Sequence, residues 1–273
     1  MLQISALYIY PIKSLGGIIL NTAKVTDRGL ECDRRWMLID QNNRFISQRE
    51  HPEMALLRPS IMPEGLQVTN LRNNSTLLIP YQPLTNKMVE VTVWDDTTMG
   101  QLVSSAADEW FSNALGEPCR LVYMPDNIHR PVDPDYAPDG KLTSFSDAYP
   151  FLVISQASID DLSARAGEPI PINRFRPNIV FTGGEPYMED GMTHFTIGAI
   201  DFYGVKICAR CPIPGINQNT AQRVKEPLKT MAGYRRKNNK VYLGQNLIHN
   251  GEGSLHVGDT ITVLDMKPVE VFE

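Results

Sequence analysis

Short β-branched and aromatic runs, broken by turn residues, fill the first hundred positions of the chain. Residues 4–12, 18–26, 35–39, 44–47 and 89–94 each predict a strand, because such side chains suit a pleated, half-buried surface. Asp40-Gln41-Asn42-Asn43 separates two of these runs, and Asn and Asp tolerate the left-handed backbone of a tight hairpin. Pro63-Glu64-Gly65 marks another turn. The spacing then changes. Leu102, Val103, Ala106, Ala107, Trp110, Phe111, Ala114 and Leu115 recur at helical intervals before Gly116, which predicts a helix over 102–115. A second helix begins at Ser155 as its cap, carries Ile159 and Leu162, and stops at Gly167. Residues 226–234 predict a third, short one.

Between the first two helices lies a polar stretch, 124–140, with Pro125, Pro131, Pro134 and Pro138, which reads as a crossing loop. Strand-like runs resume at 151–154, 178–182, 195–203, 241–248 and 259–264. The pattern predicts a mainly β chain with a few helices (α+β), organised as two β-rich modules, residues 1–118 and 119–273.

Composition narrows the class. A chain of 273 residues with 42% hydrophobic and 21% charged residues is ordinary for a globular protein. No apolar run is long enough to span a bilayer and no signal peptide opens the chain, so a cytoplasmic protein without membrane contact is expected. The net charge of −5 argues against non-specific nucleic-acid binding, yet leaves room for a local anion pocket. Four cysteines, Cys32, Cys119, Cys208 and Cys211, are too few and scattered for a disulfide scaffold, so reduced thiols are expected.

The densest chemistry is Cys208-Ala209-Arg210-Cys211, at the end of a strand-like run and before two prolines. A thiolate binds soft metals or attacks electrophiles, and a neighbouring arginine favours its charged form. A structural zinc site lacks a second ligand pair, and Pro212 and Pro214 forbid the helix that a thioredoxin-type cysteine pair requires. Cys208 reads as a small core residue at a strand end, and Cys211 as the reactive one.

Three further segments carry candidate chemistry. Tyr10-Pro11-Ile12-Lys13-Ser14-Leu15-Gly16-Gly17 is either an anion-wrapping loop, with Lys13 as point charge and Ser14 as hydroxyl, or an ordinary hairpin end. In Asn173-Arg174-Phe175-Arg176-Pro177-Asn178, strand alternation points both arginines one way, towards water or towards an anion. In Ser144-Phe145-Ser146-Asp147, the aspartate either orients a ligand and moves a proton or caps a turn. The five histidines show no ligand spacing, and no Gly-x-Ser-x-Gly or Gly-x-Gly-x-x-Gly motif is present.

Together, Tyr10-Pro11-Ile12-Lys13-Ser14, Asp33-Arg34-Arg35-Trp36, Ser146-Asp147-Ala148, Phe175-Arg176-Pro177-Asn178, Cys208-Ala209-Arg210-Cys211 and Gly244-Gln245-Asn246 resemble MOSC proteins that carry an N-terminal β-barrel domain. Within that superfamily the motifs resemble those of the mitochondrial amidoxime reducing components and their bacterial N-hydroxylated-compound reductase relatives. The resemblance implies an N-terminal β-barrel-like domain and a C-terminal MOSC β-barrel. It implies a molybdenum–molybdopterin cofactor with Cys211 as the protein ligand of the metal. Lys13, Ser14 and Arg34 would hold its phosphate end, while Ser146, Asp147, Arg176, Asn178 and Arg210 would line pterin and metal. The implied activity is a detoxifying reduction of small N-hydroxylated compounds, independent of pyridoxal phosphate, with Asp147 assisting catalysis. Electrons would come from a separate donor protein, a flavoprotein reductase or an iron–sulfur or haem carrier, since the sequence shows no cysteine cluster for a ferredoxin-like domain. The alternative is a cofactor carrier or sulfur-transfer protein, although the pyridoxal-dependent desulfurase domain is absent from this sequence. The chain departs from the family pattern in three places: Ala209 stands for serine, Pro212-Ile213-Pro214-Gly215 for threonines, and Met192 for tryptophan, the last of which implies altered packing.

Overall fold

The computed structural model describes residues 1–137 and 140–272; Pro138 of the expected crossing loop lies outside them. The protein is mainly β, and its largest element is a closed barrel of seven strands. Around the barrel run Phe151–Ser155, Ile179–Thr182, Leu2–Ile9, Thr260–Met266, Met192–Ile197, Ile200–Ala209 and Lys240–Asn250, the last pairing back to the first. Closure leaves no unpaired barrel edge. Phe151–Ser155 and Ile179–Thr182 pair in parallel, so the chain between them must cross over. The helix Gln156–Ala166 makes that crossover, with Ser155 Oγ accepting from the Ser158 amide at its start and left-handed Gly167 at its end. Leu7, Phe151, Phe181, Phe195 and Phe202 fill the barrel, where Met192 is also fully buried.

A second body of strands lies against this barrel. Met88–Val93, Asp96–Leu102, Arg120–Tyr123 and Trp36–Ile39 form a four-stranded sheet, and Leu57–Met62, Gly65–Asn70 and Thr76–Pro80 form a meander. The helix Ser105–Leu115 buries Ala107 and Phe111 against Leu66, Val68 and Leu121. Strand pairing interleaves the two bodies. Leu2–Ile9, from the start of the chain, is a barrel strand, whereas Arg120–Tyr123 completes the four-stranded sheet.

Some expected elements differ. The run 44–47 forms only isolated bridges, Ile39 to Phe45 and Arg44 to Thr92. The run 195–203 is a hairpin, turned at Gly198 with φ +59°, a conformation glycine adopts without steric cost. Residues 173–178 are not extended. Ile172–Arg174 is a 3₁₀ turn, and the strand starts only after Pro177, at Ile179.

Candidate functional site

Segments that flank the barrel strands, together with loops of the second body, enclose a cavity of about 140 Å³. Lys13 and Ser14 follow the strand Leu2–Ile9, Ser146 and Asp147 precede Phe151–Ser155, Arg176 and Asn178 precede Ile179–Thr182, and Arg210 and Cys211 follow Ile200–Ala209. Pairing brings the end of Leu2–Ile9 to the starts of Ile179–Thr182 and Phe151–Ser155, whereas Ile200–Ala209 runs in the same direction as Phe151–Ser155, and the bond from Arg210 Nη2 to the Phe175 carbonyl ties its end to the cavity. Arg34 reaches the same cavity from the chain after Gly29–Leu30, so all nine residues singled out in the sequence line one space.

The lining is strongly cationic. Among the described residues, Lys13, Arg34, Arg49, Arg176 and Arg210 face one lining carboxylate, Asp147, in a chain whose net charge is −5. Like charges converge only where a fold over-determines them, and the backbone shows how. Ser14, Arg34 and Arg176 have φ of +68°, +51° and +57°, left-handed conformations that non-glycine residues hold only at a cost. Each is tied down by hydrogen bonds. Gln48 Nε2 donates to the Ser14 carbonyl at 2.6 Å, and Arg176 Nη1 to the Leu15 carbonyl at 2.6 Å. Arg34 is ion-paired with buried Asp33, and donates to Asn178 Oδ1 at 3.0 Å and to the Arg176 carbonyl at 3.2 Å. The Tyr10 ring receives both guanidiniums, Arg34 at 4.5 Å and Arg176 at 4.1 Å from its centroid.

Buried Lys13 donates to the Phe145 carbonyl at 2.8 Å and to Asp147 Oδ1 at 2.5 Å. Burial pulls the Lys13 ammonium down to about 8, against the upward pull of Asp147. Burial works upward on the Asp147 carboxyl, but Lys13 and Arg49 outweigh it and hold the group well below the usual carboxylate range. The Asp147 side chain is still 56% exposed, so its outer face is open to a ligand. Burial also brings Arg176 down to about 10.

The cysteine pair departs from expectation in its partners. Arg210 does not hydrogen-bond to Cys211: its Nη1 donates to Cys208 Sγ at 3.0 Å and its Nη2 to the Phe175 carbonyl at 2.7 Å. Cys208 thus lines the cavity as well as packing beside Ile154 and Leu243, and burial raises its thiol despite Arg210. Cys211 lies half-buried against Ala55, Ile213 and Ile216, with its residue on the cavity wall. Among the described residues no group of three or more His, Cys, Asp or Glu could hold a metal, so a zinc site has no ligand set.

Residues 1–118 match the family described as MOSC N-terminal beta barrel domain, and residues 141–262 match the MOSC domain. The chain belongs to the MOSC family. It is 29% identical to human mitochondrial amidoxime-reducing component 1 over 280 residues, covering 96% of this chain and 82% of the relative. It is 30% identical to the molybdenum cofactor sulfurase of rice over 267 residues, covering 89% of this chain and 32% of that protein, so it spans about a third of the sulfurase. The crystal structure of the YUAD protein from Bacillus subtilis aligns over 96% of this chain and 94% of that chain, with a TM-score of 0.42 and 11% identity.

Not every motif residue reaches the MOSC cavity. Gly16 and Gly17 do not line it; a Cβ on Gly17 would sit 2.5 Å from Tyr10 Cε1, so this glycine admits the tyrosine ring rather than an anion. The two arginines of 173–178 separate: Arg176 enters the cavity, while buried Arg174 donates to the carbonyls of Pro214 and Glu226. The sequence pattern also hid two cations. Arg49 pairs with Asp147 at 3.3 Å from a turn that carries no local motif. Arg130, in the polar crossing loop, is 3% exposed; it donates to the carbonyls of Ser144, Ser146 and Asp147 and pairs with Asp96 at 2.6 Å. A local signal existed for neither, since both are fixed by contacts between residues far apart in sequence.

Proposed function

We propose that this MOSC cavity holds a molybdenum–pterin cofactor and that the protein reduces small N-hydroxylated compounds. The carrying observation is the convergence of five cations on one wall system that also bears the Cys211 thiol. An anionic, thiophilic group suits that donor set: cations offset its charge, and thiolate is a suitable ligand for a soft, sulfur-rich metal centre. Among the described residues buried Arg210 Nε has no hydrogen-bond partner, which marks a donor available to such a group.

In this reading Lys13, Ser14 and Arg34 hold the phosphate end, and Arg176, Arg210, Asn178 and Ser146 flank the pterin and metal. Cys211 ligates the metal. When bound, such a cofactor would supply two-electron oxygen-transfer chemistry. The chain's own residues do the rest. Asn178 links strands by accepting from Arg34 and the Leu152 amide, and by donating to the Tyr8 carbonyl, which holds the cationic wall in register. The Lys13–Asp147 pair holds a proton at Lys13 Nζ that can reach the substrate through the open face of Asp147. Two electrons per turnover come from a separate donor protein.

A second reading, a carrier of cofactor or of sulfur through Cys211, draws support from the likeness to molybdenum cofactor sulfurase. The deciding experiment is metal and pterin analysis of protein made in a cofactor-producing host, followed by an amidoxime-reduction assay with an artificial electron donor. Molybdenum with turnover supports the reductase. Molybdenum without turnover favours the carrier, and absence of both metal and pterin overturns the two together.

A further inference from the structure

Trp94 breaks a local rule. It is the first of two residues that join Met88–Val93 to Asp96–Leu102, since Val93 and Asp96 are the last pair of the hairpin. Its φ is +59°, and at such a position turn chemistry selects glycine, asparagine or aspartate, because a bulky side chain is crowded there. The indole is 40% exposed. A strained, exposed aromatic that contradicts its turn is a feature that folding alone does not explain.

Its surroundings place it at the mouth of the cavity. The Arg49 guanidinium, whose residue lines the cavity, lies 4.2 Å from the indole centroid, and the Phe45 ring supports it at 5.1 Å. The indole lies beside the Asp147 carboxyl. The turn is also fixed in position. Asp96 pairs with Arg130, and Arg130 donates to the Ser144, Ser146 and Asp147 carbonyls, so the hairpin tip and the Asp147 segment form one bonded unit.

We propose that Trp94, backed by Arg49, determines specificity by stacking a planar aromatic group of the substrate at the cavity mouth while its N-hydroxylated end enters towards Cys211. This rests on the reductase reading for the reacting group, and assigns to Trp94 a preference for aryl over alkyl substituents. The exposed side of Asp147 accepts from the substrate's N–H or O–H groups.

The test is calorimetric binding of a phenyl amidoxime and of its methyl counterpart to the cofactor-containing full chain, without electron donor, in wild type, Trp94→Gly and Trp94→Phe. Glycine relieves the turn, so Trp94→Gly is expected to melt within a few degrees of wild type; Trp94→Asn, also at ease in a left-handed turn, replaces it if the glycine variant does not fold. An aromatic pair contributes enough that the phenyl-over-methyl affinity ratio falls about threefold to tenfold in Trp94→Gly, while Trp94→Phe keeps most of it. An unchanged ratio in the folded glycine or asparagine variant overturns the proposal, as does a wild type with no phenyl preference. If binding shows the expected ratios but neither ligand is reduced once electrons are supplied, the reductase reading falls and the role of Trp94 stands.

Discussion

Lys13 Nζ lies 2.5 Å from Asp147 Oδ1, across 134 residues of sequence, and this ion pair ties the N-terminal loop to the loop that enters the barrel at Phe151. One member is almost fully buried and the other is half-exposed, so a buried ammonium anchors a carboxylate whose outer face meets the cavity.

A pH dependence follows from Lys13. Its folded value, near 8, lies below the unfolded value of 10.5, so the unfolded chain binds more protons between the two. Stability contributed by this group therefore rises with pH across that window, while its power to hold an anion falls. Phosphate-induced thermal stabilisation of the cofactor-free protein should weaken above about pH 8, and Lys13→Arg should remove that weakening. Asp147 acts at the other end: its depressed carboxyl gives stability that is lost as pH falls below the ordinary carboxylate range.

Arg130 is expected to matter more than its place in a polar loop suggests. Arg130→Ala leaves the buried Ser144 carbonyl and its neighbours without their donor, a loss on the order of 2–3 kcal/mol. Urea unfolding checks the magnitude. Phosphate binding by the same variant should weaken as well, because the segment that carries Asp147 loses its anchor.

Glu189 gives a prediction far from the substrate. It is fully buried, accepts from the Ser155 amide and Ser158 Oγ, and is pushed up to about 7 by burial and by Asp190. A raised carboxyl binds more protons folded than unfolded, so its contribution to stability falls as pH rises from about 4.5 to 7. Glu189→Gln should flatten that fall and melt higher than wild type at pH 8, by on the order of 1–2 kcal/mol in stability.

Cys208 and Cys211 should separate cleanly. Cys208→Ala removes one acceptor of Arg210 but leaves its bond to the Phe175 carbonyl, so metal should be retained with reduced pterin affinity, about threefold to tenfold for one lost hydrogen bond. Pterin release on dilution measures it.

Much of this was legible in the sequence where the signal was local. Ser155 and Gly167 bracket the crossover helix because a hydroxyl cap and a left-handed glycine act within one turn of the chain. The nine cavity residues were legible as motifs, since each motif sits at a strand end, where a loop can present it. What stayed hidden depends on distant contacts. The interleaving of Leu2–Ile9 into the barrel follows from pairing with Ile179–Thr182, which no local pattern encodes. Arg210 turns to Cys208 rather than Cys211 because the Phe175 carbonyl, 35 residues away, fixes its other nitrogen. Trp94 reads as the end of the strand run 89–94, but the strand stops at Val93 and the fold sets Trp94 in the turn beside Asp147, as it does Arg49, which carries no local signal.

Cys211 is expected to bind a metal in the cationic cavity, and molybdenum content per chain decides whether it does. Wild type and Cys211→Ala, made side by side in a cofactor-producing host and shown to melt alike, are compared by elemental analysis. Near-stoichiometric molybdenum in wild type, and little or none in the variant, is the predicted result. Equal molybdenum in both, or none in wild type, would contradict the account.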